Sequence, residues 1–173
     1  MLQRPKEKDY PSYYVPYIQL VPDGDLLSIL ESDLEETVKL FEGMSETEGE
    51  FRYEENKWTI KEVLGHMADT ERVMSYRLLR IGRGDQTPLA GFNENLYAKG
   101  AQTNRLAIRS ILEDFVAARK ASITLIKNMP AEAWENKGIA NELEITASAI
   151  AYIIAGHAMH HKKIVAERYL TLL

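Results

Sequence analysis

The chain predicts an all-α fold, a four-helix bundle with a long crossover between its second and third helices. Two observations point there first. Four segments repeat apolar residues at spacings of three and four, and no run alternates convincingly enough to read as a strand. The third is punctuation, because capping residues, glycines and a proline bracket those segments. With 173 residues the chain reads as a single domain over 1–173, large enough for a real core.

Residues 1–22 hold four of the six prolines and the tyrosines Tyr10, Tyr13, Tyr14 and Tyr17. Prolines disfavour regular helix, so this stretch is expected as an extended arm. Its aromatics are expected to pack on the body, with a tyrosine-lined ligand wall as the alternative. The first helix is expected over about 25–42, capped by Asp25, with Leu27, Leu30, Leu34, Val38 and Phe41 on one face. The second starts at "TIKE", where Thr59 and Glu62 form a capping box, and ends at Gly82 and Gly84. Its stripe is Ile60, Val63, Met67, Met74, Leu78 and Ile81.

About 20 residues without helical periodicity follow, "GRGDQTPLAGFNENLYAKGAQT", with Phe92 and Leu96 as expected anchors. Unstructured loops of such length are uncommon and often functional. This one is expected to cover one end of the bundle or to meet another subunit. The third helix is expected over about 104–128, with Ile108, Ile111, Phe115, Ser122, Leu125 and Met129 inward and Pro130 as its stop. "PAEAW" offers one more helical turn, and "NKGIANELEI" is a second connection. The last helix is expected over about 146–170, capped by Thr146.

Composition removes several function classes. A net charge of -5 with scattered basic residues argues against nucleic-acid binding. No apolar stretch reaches bilayer length and the N-terminus has no apolar core of a signal peptide, so a cytoplasmic protein without membrane contact is expected. The chain has no cysteine, which excludes disulfides, thiolate ligands and a protein thiol nucleophile.

Three of the four histidines lie in "GHAMHH", residues 156–161, within an otherwise apolar helix. At about 100° per residue, His157 falls at the centre of the stripe formed by Ile150, Ile153, Ile154, Ile164 and Val165. His161 lies one turn further along the same stripe, and His160 on its flank. A buried imidazole without partners costs about 1–3 kcal/mol. A divalent metal removes that cost, since neutral imidazole is a favoured ligand and i, i+4 spacing aims two rings at one ion. Water or backbone groups are the alternative partners. His66 sits on the flank of the second helix's stripe. If the second and fourth helices are neighbours, it completes a three-histidine site with an open coordination position, as catalytic zinc sites have. Asp69 and Glu62 are within sequence reach of the other nitrogen of His66, although a solvated helix face is the preferred reading for both.

Motifs narrow the chemistry. A zinc protease of the H-E-x-x-H type needs glutamate where this chain has Ala158. No nucleophile elbow, phosphate-cradling loop or dinucleotide-binding glycine motif is present.

The stretch "KWTIKEVLGHMADTERVMSYRLLRIGRGDQTPLAGF", followed by "IAGHAMHHKKIV", resembles the DinB-like, YfiT-like superfamily. The resemblance spans nearly the whole chain, including the "YYVPYIQLVPDGD" that leads into the first helix. It implies a four-helix bundle holding zinc or nickel on His66, His157 and His161, in a protein that commonly forms a homodimer. It also implies a small-molecule substrate. Some relatives join a low-molecular-weight thiol such as bacillithiol or mycothiol to an electrophile in detoxification or stress response, or use such a thiol for isomerisation. A metal-dependent thiol S-transferase is therefore the leading expectation. In it, Arg77, on the His66 side of the second helix, and Arg168, on the inner stripe two turns beyond His161, are candidates to hold an anionic group of the thiol, against the preferred alternative of an intrahelical or subunit ion pair for each. A metal-dependent hydrolase using the same histidines is the second expectation, and a non-enzymatic dimer, metal-stabilised or metal-free, the third.

Overall fold

The computed structural model describes residues 2–173. The N-terminal stretch is not extended throughout. It folds into short 3-10 turns at Glu7–Asp9 and Ser12–Tyr14 and a single turn α1 (Val15–Ile18), with Pro16 in that first turn, where no helical N–H is needed. Its anchor is Arg4, whose guanidinium donates to the carbonyls of Ile18 and Val21.

α2 (Leu26–Phe41) begins at the Asp25 cap, whose carboxylate accepts the Ser28 N–H at 3.0 Å. A short turn, α3 (Glu46–Gly49), leads into α4 (Ile60–Gly82). The predicted capping box is present, with Thr59 Oγ1 accepting the Glu62 N–H at 3.0 Å and Glu62 accepting the Thr59 N–H at 2.8 Å.

The long crossover contains a helix, α5 (Glu94–Ala101), capped by Asn93. The expected absence of periodicity is corrected here, because eight residues with one buried side chain, Ala98, leave too short a stripe to register. Phe92 is half-buried as an anchor, but Leu96 is exposed and Leu89 takes its place in the core. α6 (Ile108–Lys127) begins four residues later than predicted, with Ala107 as its N-cap. The "PAEAW" segment does form a 3-10 turn.

The second connection is a two-stranded hairpin, β1 (Lys137–Ala140) and β2 (Leu143–Thr146). Asn141 and Glu142 turn it with φ of 52° and 67°, the two left-handed residues of a tight hairpin. Asn-Glu lacks the usual glycine, and each strand is only four residues, so the pair escaped a pattern search. Leu89 of the crossover bonds the edge of this hairpin through Ile139 and Asn141, pinning the two connections together.

α7 (Ala147–Ile164) starts at the predicted Thr146 cap and runs into a π turn over Val165–Tyr169. α4 packs on α6 and α7, and α2 packs on the same two, so α2 and α4 stand at opposite corners of the square. The arm helix α1 lies on α7, and at Gly156 an added Cβ would overlap the Tyr17 carbonyl.

The core is divided into two apolar clusters, one around Leu78, Ile81 and Ile150, the other around Val63, Phe115 and Val165. Along α2 the division falls between Leu30 and Phe41, along α4 between Ala68 and Met74, along α6 between Phe115 and Ile126. Polar residues occupy the gap. Arg119, fully buried, donates to both oxygens of Glu71 at 3.0 Å and to Asp33 at 2.7 Å. Lys162 reaches Asp33 from α7 at 2.7 Å. The predicted inner face of α2 therefore needs correction. Its buried residues are Leu26, Leu30, Asp33, Thr37 and Phe41, while Leu27, Leu34 and Val38 pack at its margins. An apolar pattern could not reveal that an aspartate points inward toward an arginine on another helix.

Candidate metal centre

The adjacency of α4 and α7 brings His66 to the two histidines of α7. One ring nitrogen from each of His66, His157 and His161 lies within 4.8 Å of the other two. His66 Nε2 and His157 Nε2 are 3.0 Å apart. His66 and His157 are 8% and 7% exposed, and His161 is partly buried. His160 stays at the edge, half-buried, with its ring against Tyr17 and His161.

The rings are held by aromatic neighbours. Trp58 lies against His66 at 4.8 Å between centroids, and Tyr17 against His157 at 5.5 Å. The other nitrogen of His66 meets Thr70 Oγ1 at 3.5 Å, a weak contact. Neither sequence-proposed carboxylate serves it. Glu62 is engaged with Thr59 and Asn104, and Asp69 makes no bond to the ring. The i, i+3 and i, i+4 spacings place them near His66, but Glu62 is taken up by Thr59, Asn104 and Arg52.

Burial sets the protonation state. Desolvation pushes His66 down to about 4; Glu94 opposes it to a smaller extent and His160 adds slightly to it. His157 and His161 are held well below the ordinary imidazole range, first by burial and then by their neighbouring histidines. All three rings are therefore neutral at pH 7. Each then offers a lone pair, and a set of three neutral imidazoles fits a borderline divalent cation. Two facing Nε2 atoms at 3.0 Å form a hydrogen bond only when the two rings hold opposite tautomers, whereas a shared cation satisfies both.

The histidines line one wall of a cavity of about 310 Å³. Tyr13, Tyr14 and Tyr17 also line this cavity, while Tyr10 is buried in the core. Phe92 and Glu94 from the crossover and Asn141 and Leu143 from the hairpin complete the rim. The crossover thus shapes this cavity, as its length had suggested.

The two sequence-proposed arginines part company. Arg77 is buried beside the cavity and pairs with no carboxylate among the described residues. Arg168, expected on the inner stripe, is exposed and reaches Tyr53 instead. The π turn explains the error, because it takes up an extra residue and rotates everything after Ile164 off the α-helical phase. Sequence reasoning missed Arg119, Glu71 and Asp33, whose only signal was a charged residue inside each apolar repeat.

A four-helix bundle with three neutral histidines converging on a cavity defines the class. The chain belongs to the DinB superfamily, whose family model matches residues 29–165. Among solved structures it is similar to YfiT from Bacillus subtilis, "a probable metal-dependent hydrolase with an unusual four-helix bundle topology". That likeness has a TM-score of 0.73 at 14% identity and covers 98% of this chain and 93% of YfiT. It is also similar to a mycothiol-dependent maleylpyruvate isomerase, with a TM-score of 0.67 at 13% identity, covering 84% of this chain and 61% of that one. At such identities the likeness shows the fold. No curated protein matches in sequence. No helix among the described residues is long and apolar enough to cross a membrane.

Proposed function

We propose that His66, His157 and His161 hold one divalent cation, zinc or nickel, and that the protein is a metal-dependent thiol S-transferase acting on small electrophiles. The observation that carries this reading is the convergence of three neutral imidazoles, two buried and one partly buried, at the wall of a cavity of about 310 Å³. When bound, such a cation supplies Lewis acidity that lowers the pKa of an incoming thiol.

The chain's own residues support a thiol over water as the nucleophile. A thiol is acidic enough to need no strong base, whereas water activation is helped by a neighbouring carboxylate. Glu94 is the one carboxylate lining the cavity, and it sits exposed at the rim. Trp58 covers His66 and Tyr17 covers His157. With no cysteine in the chain, no protein thiol competes for the position. The solved isomerase depends on mycothiol, which is consistent with a bundle of this shape serving thiol chemistry. A homodimer is expected on the family resemblance.

Hydrolysis is the second reading, favoured by the description of YfiT and by Glu94 as an available base. One assay separates the two. Zinc- or nickel-loaded protein is offered chlorodinitrobenzene with a panel of low-molecular-weight thiols, and separately an activated ester without thiol. The transferase reading predicts metal-dependent conjugation, in which a carbon–sulfur bond forms, chloride leaves and the thiol proton passes to solvent. No conjugation with any thiol, together with ester hydrolysis lost in Glu94→Gln, would establish the hydrolase instead.

A further inference from the structure

Three lysine or arginine side chains are buried among the described residues: Lys61, Arg77 and Arg119, at 2%, 3% and 0% exposure. Two of them are neutralised from within. Lys61 has Glu46 and Glu50 at 2.6 and 3.2 Å, and Arg119 has Asp33 and Glu71 at 2.7 and 3.0 Å. Arg77 has no carboxylate within 4.0 Å. Its contacts are the Ala90 carbonyl at 2.8 Å, the Met74 sulfur at 3.5 Å and the face of Phe92 at 5.8 Å. None carries a full negative charge. A buried charge is costly unless it is paired, so a guanidinium held in this way calls for a partner or a polar surface.

Arg77 belongs to the lining of the same cavity as the three histidines. His66, Thr70, Met74 and Arg77 run along one side of α4 facing it. Arg77 is eleven residues beyond His66, a rise of about 16 Å along the axis, and side chains on a helix lean back toward the N-terminus, which shortens the gap. The Tyr14 phenol, which lines the same cavity, also faces the guanidinium, whose charge and hydrogen bond oppose the upward push of burial on it. The guanidinium and the histidines thus mark two ends of one cavity.

We infer that this cavity takes a carboxylate-bearing small molecule, with its carboxylate on Arg77 and its reacting end toward the histidines. The arginine is a specificity-determining residue, since its planar fork matches a carboxylate. The inference rests on the proposed metal site only for where the reacting end lies. The ion-pair alternative from the sequence is not met by any carboxylate among the described residues.

The test uses the metal-free full chain, so that it is independent of the metal. Hexanoate and hexanamide are titrated separately while the Arg77 Nε–Hε and Trp58 indole resonances are followed by NMR. Hexanoate is expected to move both signals along a saturable curve and to bind on the order of tenfold more tightly than the amide. Arg77→Lys should retain part of that preference and Arg77→Met should lose it, with circular dichroism confirming that each variant is folded. Equal binding of acid and amide by the native chain, or an Arg77 signal unmoved by hexanoate, overturns the inference without needing either variant. The metal reading fails separately, if zinc or nickel does not bind.

Discussion

Arg119 and His157 both lie in the gap between the two apolar clusters, yet the chain treats them in opposite ways. Arg119 is matched by a bidentate glutamate and an aspartate, and Lys162 adds a second cation to that aspartate. Charge is met by charge, and every partner is protein. His157 faces other histidines, and burial keeps the group neutral. One cluster ties four helices together through ion pairs. The other turns three lone pairs toward a common point beside a cavity. Polarity in a core thus has two meanings, and partner identity distinguishes them: complementary charges mark structure, and like donors aimed at one point mark a ligand.

The comparison is broken most severely at Arg119. Arg119→Met leaves Glu71 buried without its cation and Asp33 with Lys162 alone, and breaking a buried pair from one side typically costs about 3–5 kcal/mol. Denaturant unfolding checks this, and metal should not rescue it. His157→Ala should behave differently. The metal-free variant is expected to unfold near the native midpoint, but to lose the stabilisation that zinc or nickel gives the native chain, about 2.7 kcal/mol at a hundredfold excess over Kd. Thermal melts with and without metal read that difference.

Acid sharpens the same contrast. The folded His66 is held at about 4, below the roughly 6.5 of an unfolded histidine. Between those values the unfolded chain binds protons that the folded chain refuses, so stability is full above about 6.5 and falls as pH drops toward 4. Metal-free native protein should therefore show a lower denaturant midpoint at pH 5 than at pH 7, and His66→Ala a smaller drop. Gly156→Ala probes the arm that backs His157. Its methyl would overlap the Tyr17 carbonyl, and overpacking of this kind costs about 1–3 kcal/mol. Smallest of all is Asp114→Asn, which removes an exposed pair with Arg72 and should change stability by no more than about 1 kcal/mol.

Much of this architecture was legible in the chain. The caps at Asp25, Thr59 and Thr146 were read correctly because capping is local chemistry. The stripe of α4 was read correctly because Ile60, Val63, Met67, Met74, Leu78 and Ile81 keep the helical repeat and are all buried, even though polar residues lie beside them. The stripe of α2 was displaced because Asp33 and Thr37 are inward and polar, and their partners lie on other helices. The hairpin and α5 were hidden by their brevity. The candidate histidines stood out because three imidazoles in an apolar repeat have no packing rationale, and their convergence needed only α4 beside α7. What no spacing could supply was the set of neighbours: Trp58 and Tyr17 against the rings, Thr70 rather than a carboxylate on His66, and Arg168 turned outward by a π turn.

The most direct measurement is metal content per chain. Tag-free protein purified without chelator, native and His157→Ala, is offered zinc and nickel and then analysed for elements after exhaustive dialysis. The account predicts about one ion per native chain and a large loss in the variant. A native chain that retains no metal, or a variant that retains as much, would contradict it.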